Sequence, residues 1–511
     1  MTPVPTSTNA LFYGDNLDIL RKHIADASVD LIYLDPPFNS NRSYNVLFKT
    51  RSGEDAQAQV EAFDDTWTWS QQAEAQYQEL IGGGAPVRVA DAIEAMRRLL
   101  GSNDVLAYLV MMTARLVELH RVLKPTGTLW LHCDPTASHY LKVMLDAVFG
   151  GQTHYLNEIV WCYRDIGSTT TDYFKRKHDV IFSYAKGSTW THNVQRGPIA
   201  PSTLKRYGPY FDSDGRITYR ALQKSNPGVF AKLKGVPEDL DEVWLDKDRG
   251  AQLTDWWTDI SALKRGFQEA LGYPTQKPVA LLERIIQTGT NPGDLVLDPF
   301  CGCGTTVDAA QKHGRRWIGI DVTYIAVDLI DKRLRATFGE EVAGTYKIHG
   351  IPHDLDAARA LFAANPFDFE RWAVSLVDGQ PNQKQVGDKG IDGVIRFPID
   401  NKTGVGRALV SVKGGGTVNP AMVRDLVGTV EQEKADMGVF ICLSEPTKGM
   451  VEVANGSGSY AWPVDGRTFP KVQLITITQL LAGQRPKMPT PYLPYMQAKR
   501  LTVDEDDPTL F

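Results

Sequence analysis

Short apolar runs that each end in an acidic residue recur along the first two thirds of the chain. The three clearest runs, each with its acid, are Leu31–Leu34 with Asp35, Leu295–Leu297 with Asp298, and Trp317–Ile320 with Asp321. Runs of this length predict buried strands. Because open α/β sheets bind ligands at the carboxyl ends of their strands, the three acids are predicted to share one site.

Apolar residues at helical spacing alternate with such strands, which predicts an α/β fold with a parallel sheet flanked by helices. The further predicted elements are helices over Val105–Leu123 and Ala137–Phe149 and strands over Thr128–Cys133, Asn157–Tyr163 and Val180–Tyr184. Regularity falls over residues 39–104. These residues are predicted to be an insertion that orders over substrate, or else a plain surface excursion.

Composition sets the class of the protein. A chain of 511 residues predicts two or three domains. No apolar run of about 18 residues is present, and Met1–Pro5 lacks the features of a leader peptide, so a soluble cytoplasmic protein without membrane contact is expected. The five cysteines are odd in number and scattered, which predicts reduced thiols rather than disulfides.

The net charge of −6 gives no overall attraction to nucleic acid. Residues 161–210, however, hold eight Lys and Arg against three acids, and residues 185–272 interleave basic with aromatic side chains. This mixture suits a surface that binds phosphates and stacks on bases, although a solvated basic face would have the same composition.

The residues after the first run favour a rigid polar loop. Pro36 and Pro37 fix φ and remove two backbone donors, so carbonyl acceptors lie beside the Asp35 carboxylate and the Phe38 ring. Such a loop suits a flat base with an exocyclic amine, which donates to Asp35 and stacks on Phe38. A tight turn after a strand fits the same residues.

The stretch after Asp298 predicts a nucleotide cofactor site. Gly302 and Gly304 let a cofactor approach the backbone, and Asp321 can accept two ribose hydroxyls. No Lys-Ser/Thr pair follows the glycines, which argues against a triphosphate. Asp298 would repel a pyrophosphate but attract an ammonium group, which favours S-adenosylmethionine over NAD.

Asp35–Phe38 and Asp298–Thr305, with Pro274–Pro278 before the second stretch, resemble the amino-group DNA methyltransferases of the β class in the order of their motifs. The resemblance covers Asn9–Arg335. It implies a Rossmann-like sheet with circularly permuted motifs, S-adenosylmethionine as cofactor, and a flipped base in double-stranded DNA. Asp at position 35 rather than Ser favours adenine N6, and cytosine N4 is the alternative.

The resemblance also assigns residues. The target base would be held by Asp35, Pro36, Pro37 and Phe38. The cofactor would be bound by Asp15, Thr275, Lys277, Asp298, Phe300, Gly302, Gly304, Thr305 and Asp321. Thr275–Lys277 also fits the start of a helix over Val279–Ile286, and both roles are compatible.

The last third resembles the Mrr-like PD-(D/E)xK restriction endonuclease domains. A helix over Phe367–Val374 carries Glu370, and Asp392 precedes a hairpin whose second strand ends at Lys413. The resemblance implies that Glu370 and Asp392 hold Mg²⁺ while Lys413 orients water, as nuclease catalytic residues. Ser411 departs from the family pattern of Glu or Gln, so a domain that only binds DNA is the alternative.

The predicted organisation follows from these stretches. It comprises a methyltransferase domain over 9–340 with its target-recognition region at about 185–272 and its cofactor loop at 295–321, a linker over 341–366, an Mrr-like domain over 367–485, and a tail over 486–511. The predicted function is DNA methylation joined to a nuclease in restriction-modification or phage defence. A catalytically idle DNA-recognition protein and an RNA substrate are the rivals. The oligomeric state stays open, a homodimer included.

Overall fold

The computed structural model describes residues 8–36, 43–49, 55–64, 69–151, 153–163, 174, 177–263, 269, 276–382, 390–400, 405–415 and 418–491. For residues 43–49 and 55–64 only the backbone is described. The predicted site residues Pro37, Phe38 and Thr275 lie outside the described residues.

The N-terminal part alternates strands and helices. Its strands are β1 (Asn9–Tyr13), β2 (Val29–Leu34), β3 (Ser43–Lys49), β4 (Asp55–Asp64), β5 (Leu123–Cys133), β6 (Tyr155–Cys162), β7 (His178–Ala185), β8 (Arg196–Gly197), β9 (Arg216–Thr218), β10 (Val243–Asp246), β11 (Ala251–Gln252), β12 (Trp256–Trp257), β13 (Leu295–Asp298), β14 (Arg316–Asp321) and β15 (Tyr346–His349). Its helices are α1 (Asn16–His23), α2 (Gln71–Glu79), α3 (Val87–Leu100), α4 (Asp104–Val122), α5 (Ser138–Phe149), α6 (Pro201–Tyr207), α7 (Tyr219–Ser225), α8 (Pro227–Phe230), α9 (Val279–Gly289), α10 (Thr305–Lys312) and α11 (Tyr324–Phe338). Single turns of π or 3₁₀ helix cover Leu80–Gly84, Gly208–Tyr210 and Glu340–Thr345.

A nine-stranded sheet with the order β12-β6-β7-β5-β2-β13-β14-β1-β15 forms the centre of this part. The α/β fold class is therefore confirmed. Neighbouring strands run parallel except at β7, which is antiparallel to both β5 and β6. The prediction of a parallel sheet is wrong at this strand, because the alternation of side chains along a strand carries no information on its direction.

Helices cover both faces of the sheet. Buried residues of α1, α3, α4 and α5 pack on one face, and those of α9, α10 and α11 pack on the other. Strand β2 lies between the two layers, with Ile32 and Leu34 in the first core and Leu31 and Tyr33 in the second. Burial on both faces explains why this strand is almost wholly apolar. Within the described residues, no helix is long and apolar enough to cross a membrane.

The sheet continues past residue 340, where the sequence analysis ended the first domain. Strand β15 pairs in parallel with β1, with Ala10 opposite Lys347. The segment over 341–366 thus holds an edge strand of the main sheet and α12 (Leu355–Ala364), whose Ala358 is buried in the C-terminal core.

The C-terminal part is a smaller α/β unit around a five-stranded sheet with the order β16-β17-β18-β19-β22. Its elements are α13 (Pro366–Ser375), β16 (Gln380–Pro381), β17 (Gly393–Pro398), β18 (Val405–Lys413), α14 (Pro420–Gln432), β19 (Met437–Cys442), α15 (Lys448–Gly456), β20 (Ser459–Ala461), β21 (Thr468–Pro470), β22 (Val472–Thr476) and α16 (Ile477–Leu481). An ion pair of 2.8 Å between Lys332 Nζ and Asp378 Oδ1 joins this unit to α11.

Candidate active site

Three acidic residues lie together at the carboxyl ends of central strands of the main sheet. Strand β13 pairs with β2 on one side and with β14 on the other, so Asp35, Asp298 and Asp321 lie at the carboxyl ends of adjacent strands. Burial raises the pKa of Asp298 to about 7, and the charges of Asp35 and Asp321 contribute in the same direction. The carboxyl ends of these strands therefore concentrate negative charge in a poorly solvated region, which suits a cationic ligand.

Asp35 is held by a lysine from a distant part of the chain. Lys277 Nζ lies 2.5 Å from Asp35 Oδ2, and the two side chains are only 10% and 15% exposed. Among the described residues, Asp35 Oδ1 is buried and has no hydrogen-bond partner. One carboxylate oxygen is thus fixed, while the other can accept a hydrogen bond from a ligand. Pro36, the next residue, is buried.

Asp298 ends β13 and begins the cofactor loop. Its Oδ1 accepts a hydrogen bond from the Phe300 backbone N–H at 3.0 Å. The Thr306 side chain also hydrogen-bonds to Asp298, and both contacts oppose the effect of burial on its pKa. Phe300 packs partly buried against the core beneath the loop.

Asp321 closes the loop from the other side. Its Oδ2 accepts from the Gly302 backbone N–H at 2.8 Å, and its Oδ1 accepts from the Thr323 N–H and hydroxyl, each at 2.8 Å. Burial raises the pKa of Asp321 to about 6. Each oxygen of a carboxylate has two acceptor positions, so Asp321 Oδ2 can still accept from a ligand hydroxyl.

The turn after Asp298 requires glycine. Gly304 has a φ of +76° and caps α10. A Cβ atom there would lie 2.6 Å from Ile330 Cγ1 on α11. The loop and α11 therefore pack too closely for any side chain at this position.

An arginine on α11 anchors the same loop. The Arg333 guanidinium donates to Asp308 Oδ2 at 2.8 Å, to the Cys303 carbonyl at 3.1 Å and to Thr305 Oγ1 at 3.3 Å. The Arg333 and Asp308 side chains are 7% and 11% exposed. Thr305 thus lies inside the protein and supports the turn between the loop and α10.

Asp15 and Asn16 both bind Arg115 of α4, and Asn16 also contacts the cofactor loop. The Asp15 side chain caps α1, and its Oδ2 pairs with Arg115 at 2.7 Å. The next residue, Asn16, donates to the Pro299 carbonyl at 2.7 Å and accepts from Arg115. Asp15 is therefore connected to the residues that follow β13 only through Arg115 and Asn16, and its side chain is 51% exposed.

Sequence reasoning missed Asn16, Arg115 and Arg333, and it did not predict the pairing of Lys277 with Asp35. Arg115 and Arg333 each interrupt an apolar helix face. A buried charge at such a position needs a partner, and that was the available signal.

The predicted nuclease residues Asp392, Ser411 and Lys413 lie close together. Asp392 Oδ2 accepts from the Val412 N–H at 2.6 Å and lies 3.6 Å from Lys413 Nζ. Ser411 Oγ is 3.5 Å from the same oxygen. Glu370 lies on α13.

These residues do not fit a divalent cation well. Mg²⁺ takes oxygen ligands in octahedral geometry, and protein sites bind it through carboxylates. Asp392 Oδ2 already accepts from the Val412 N–H and the Ser411 hydroxyl and is paired with Lys413, and a serine stands where the family pattern has a carboxylate or amide. In the part of the chain that the structure describes, no group of three or more His, Cys, Asp or Glu side chains could hold a metal ion.

Two protein-family models match the chain. The model of N6/N4 type described as DNA methylase matches residues 29–332. The model described as NACHT-associated inactive Restriction Endonuclease 1 matches residues 368–482. The restriction-endonuclease resemblance of the C-terminal part is thus supported, while membership of the Mrr-like PD-(D/E)xK group stays a prediction.

The chain is also similar to curated proteins whose names describe DNA modification. The Type II methyltransferase M.EcaI of Enterobacter cloacae is 28% identical over 401 residues, which cover 70% of this chain and 78% of that protein. The Mod subunit of the Type III restriction-modification enzyme StyLTI of Salmonella typhimurium is 26% identical, over 60% of this chain and 50% of that subunit. Among solved structures, Thermus thermophilus TTHA0409 complexed with S-adenosyl-L-methionine is 19% identical, over 66% of this chain and 99% of that chain, with a TM-score of 0.34.

Proposed function

The chain belongs to the N6/N4 DNA methylase family, whose model matches residues 29–332, and we propose that it methylates the N6 amine of adenine in duplex DNA. The observation that carries the proposal is the Asp35 carboxylate. Lys277 fixes its Oδ2, while its Oδ1 is buried without a partner among the described residues. A buried acceptor of this kind costs about 1–3 kcal/mol unless a ligand supplies a donor, and an exocyclic amine supplies one.

The loop acts by orientation. The lone pair of an aromatic amine is delocalised into the ring, so the nitrogen is a poor nucleophile. Hydrogen bonds from its protons to Asp35 Oδ1 and to the Pro36 carbonyl favour a pyramidal nitrogen and direct its lone pair. Positioning of this kind supplies up to about 7–11 kcal/mol in the best intramolecular reactions. Pro37 and Phe38 stay predicted contacts to the base.

The cofactor loop and Asp321 fit S-adenosylmethionine. When bound, this cofactor supplies an electrophilic methyl group on a sulfonium. Asp298 would attract the ammonium of its methionine part, and Asp321 Oδ2 would accept a ribose hydroxyl. The turn at Gly304 packs directly against Ile330 on α11, which fixes the path of the loop. Thr305 supports this loop from inside the protein, and Asp15 and Thr275 stay predicted contacts to the cofactor.

The pH dependence of cofactor binding follows from the raised pKa values of Asp298, about 7, and Asp321, about 6. The ammonium binds ionised Asp298, and ionised Asp321 is the better acceptor for the ribose hydroxyl, so binding must displace protons below these pKa values. We expect the Kd of S-adenosylmethionine to fall as the pH rises from 5.5 to 7, by up to about tenfold per unit. Isothermal titration calorimetry checks this, and a Kd that rises or stays constant over that range contradicts it. Asp298→Asn should flatten the profile.

Substitution at Gly304 tests the cofactor loop. Gly304→Ala is expected to weaken S-adenosylmethionine binding by about tenfold or more, because the added methyl meets Ile330 and overpacking costs about 1–3 kcal/mol. The matched control is Gly314→Ala: its φ of +67° is similarly strained, but no atom lies within 4 Å of the new Cβ. Equal binding by the two variants would contradict the steric argument.

Adenine is favoured over cytosine because position 35 holds Asp rather than Ser. Purified protein, S-adenosylmethionine and mixed-sequence duplex DNA are incubated, and the digested nucleosides are separated by mass spectrometry. We expect N6-methyldeoxyadenosine. N4-methyldeoxycytidine would replace the adenine assignment with the alternative, and the absence of both would contradict methyl transfer to DNA.

DNA recognition is assigned to the irregular region over 185–272. Trp190, Tyr210 and Trp256 are 41%, 46% and 64% exposed there, as stacking or wedging side chains would be. Strand β12 ties this region to the edge of the main sheet by pairing with β6. The names of M.EcaI and the StyLTI Mod subunit support a role in restriction-modification. The homodimer stays a prediction.

For the C-terminal domain, DNA binding without cleavage is favoured over Mg²⁺-dependent cleavage. The engagement of Asp392 by Val412 and Lys413, and the serine at position 411, support this choice. Supercoiled plasmid, unmethylated or premethylated by the protein, is incubated with Mg²⁺ and either wild type or Lys413→Ala. Intact plasmid in every reaction is expected. Cleavage by wild type that Lys413→Ala abolishes would restore the nuclease assignment.

A further inference from the structure

A buried polar network lies behind Asp35 and has no part in the site described so far. Tyr33 Oη is 3.0 Å from His132 Nδ1, and His132 Nε2 is 3.1 Å from Asp179 Oδ2. The Tyr163 hydroxyl donates to Asp179 Oδ1 at 3.2 Å. His132 is fully buried, and the Asp179 side chain is 14% exposed.

The order and pairing of the strands place this network next to the catalytic loop, which begins at Asp35. Tyr33 lies two residues before Asp35, so the two side chains leave β2 on the same face. Residue Leu34 pairs with Leu131, which places His132 one step further along β5, beside the start of the loop. Asp179 stands on β7, the next strand.

Lys277 connects the network to Asp35. Its ammonium is 2.5 Å from Asp35 Oδ2. Burial alone would raise the pKa of Asp179, but the hydrogen bond and charge of His132 and the charge of Lys277 bring it below its ordinary value. Lys277 thus pairs with Asp35 in the catalytic loop, and its positive charge also favours the ionised form of Asp179.

Burying these polar side chains costs free energy, and apolar residues would pack the same strands without that cost. Their presence here therefore indicates a function. Networks of this kind fix orientation when their members are satisfied. We infer that Asp179, held by His132 and Tyr163, is a positioning residue for methyl transfer: through His132 it fixes Tyr33, two residues before Asp35, and so keeps Asp35 Oδ1 aimed at the target amine. This inference rests on the proposed function.

The test is Asp179→Asn, which keeps the shape and removes the charge. The rate of a single turnover at saturating S-adenosylmethionine and DNA is expected to fall about 10- to 100-fold, the scale of a displaced catalytic group. The Kd of each ligand should stay within about twofold of wild type, and the Tm should be nearly unchanged. A purely structural residue would instead lower the Tm and weaken both ligands together.

Asp146→Asn is the matched control. Asp146 also accepts from a tyrosine hydroxyl, Tyr184 at 2.7 Å, and from a lysine, Lys142 at 2.8 Å, but it lies on α5 away from Asp35. Its single-turnover rate should match that of wild type. Tyr163→Phe removes one donor to Asp179 and should also lower the rate, by a smaller factor. This variant provides the test if Asp179→Asn fails to fold.

Three results have distinct meanings. If Asp179→Asn and Tyr163→Phe both turn over at the wild-type rate, the inference is overturned while the proposed function stands. If the rate and the Tm fall while both Kd values rise, the residue is structural and the inference is again overturned. If wild type itself transfers no methyl group to any DNA, the proposed function fails first.

Discussion

Replacing Asp35 by Ala is expected to lower the rate of methyl transfer by at least about 10²-fold, the usual cost of removing one preorganised hydrogen-bonding group from an active site. The change removes the acceptor of the amine hydrogen bond and the partner of Lys277. S-adenosylmethionine should still bind, because Asp298 and Asp321 remain. Transfer of a labelled methyl group to DNA and calorimetric binding of the cofactor measure the two effects separately.

Asp30→Ala is the matched control for this variant. Asp30 stands on the same strand and pairs with a lysine, Lys124, at 2.8 Å, but at the opposite end of β2. Its loss should destabilise the protein without slowing transfer by saturated enzyme. The orientation argument fails if Asp35→Ala keeps more than about a tenth of the wild-type rate.

Replacing Arg333 by Met is expected to lower the free energy of unfolding of the N-terminal domain by about 3–5 kcal/mol, because it leaves Asp308 as a buried charge without its partner. The cofactor loop should loosen as well, since Arg333 also binds the Cys303 carbonyl and Thr305. Urea denaturation followed by tryptophan fluorescence measures the change.

Arg335→Met, on the same helix, controls for the loss of an arginine. Arg335 pairs with Asp331 at 2.8 Å, but its side chain is 37% exposed. Exposed pairs contribute only about 0–1 kcal/mol. A loss of stability as small for Arg333→Met as for Arg335→Met would contradict the anchoring role.

The strand ends were predictable because they depend on local pattern. An apolar run followed by an acid marks the carboxyl end of a buried strand. This pattern predicted that Asp35, Asp298 and Asp321 lie at the same end of the sheet. Gly304 was predicted as a point where a cofactor approaches the backbone, whereas its contact with Ile330 on α11 depends on the tertiary fold and was not predicted.

The partners of these acids could not be predicted in the same way. Lys277 and Asp35 are 242 residues apart, and no local rule relates them. His132 and Asp179 lie within apolar strands, where a polar residue carries no sign of which neighbour it faces. The direction of β7 could not be predicted for a related reason, because the tertiary fold decides which strands pair and in which direction.

The C-terminal domain shows the limit of motif reading. The resemblance to PD-(D/E)xK domains implies a metal-dependent nuclease with Asp392 and Lys413, but a resemblance does not show what occupies the carboxylate. In the structure a backbone N–H and the lysine itself bind Asp392 Oδ2. Ser411 was the one departure visible in the sequence, and it is the residue that points to binding without cleavage.

The central claim is that Asp35 orients an adenine amine for methylation. Base-resolution sequencing of DNA from cells that express this chain alone, as wild type or as Asp35→Ala, tests it most directly. We expect N6-methyladenine in one sequence context with wild type and none with the variant. Identical marks with both proteins, or no marked base with wild type, would contradict the claim.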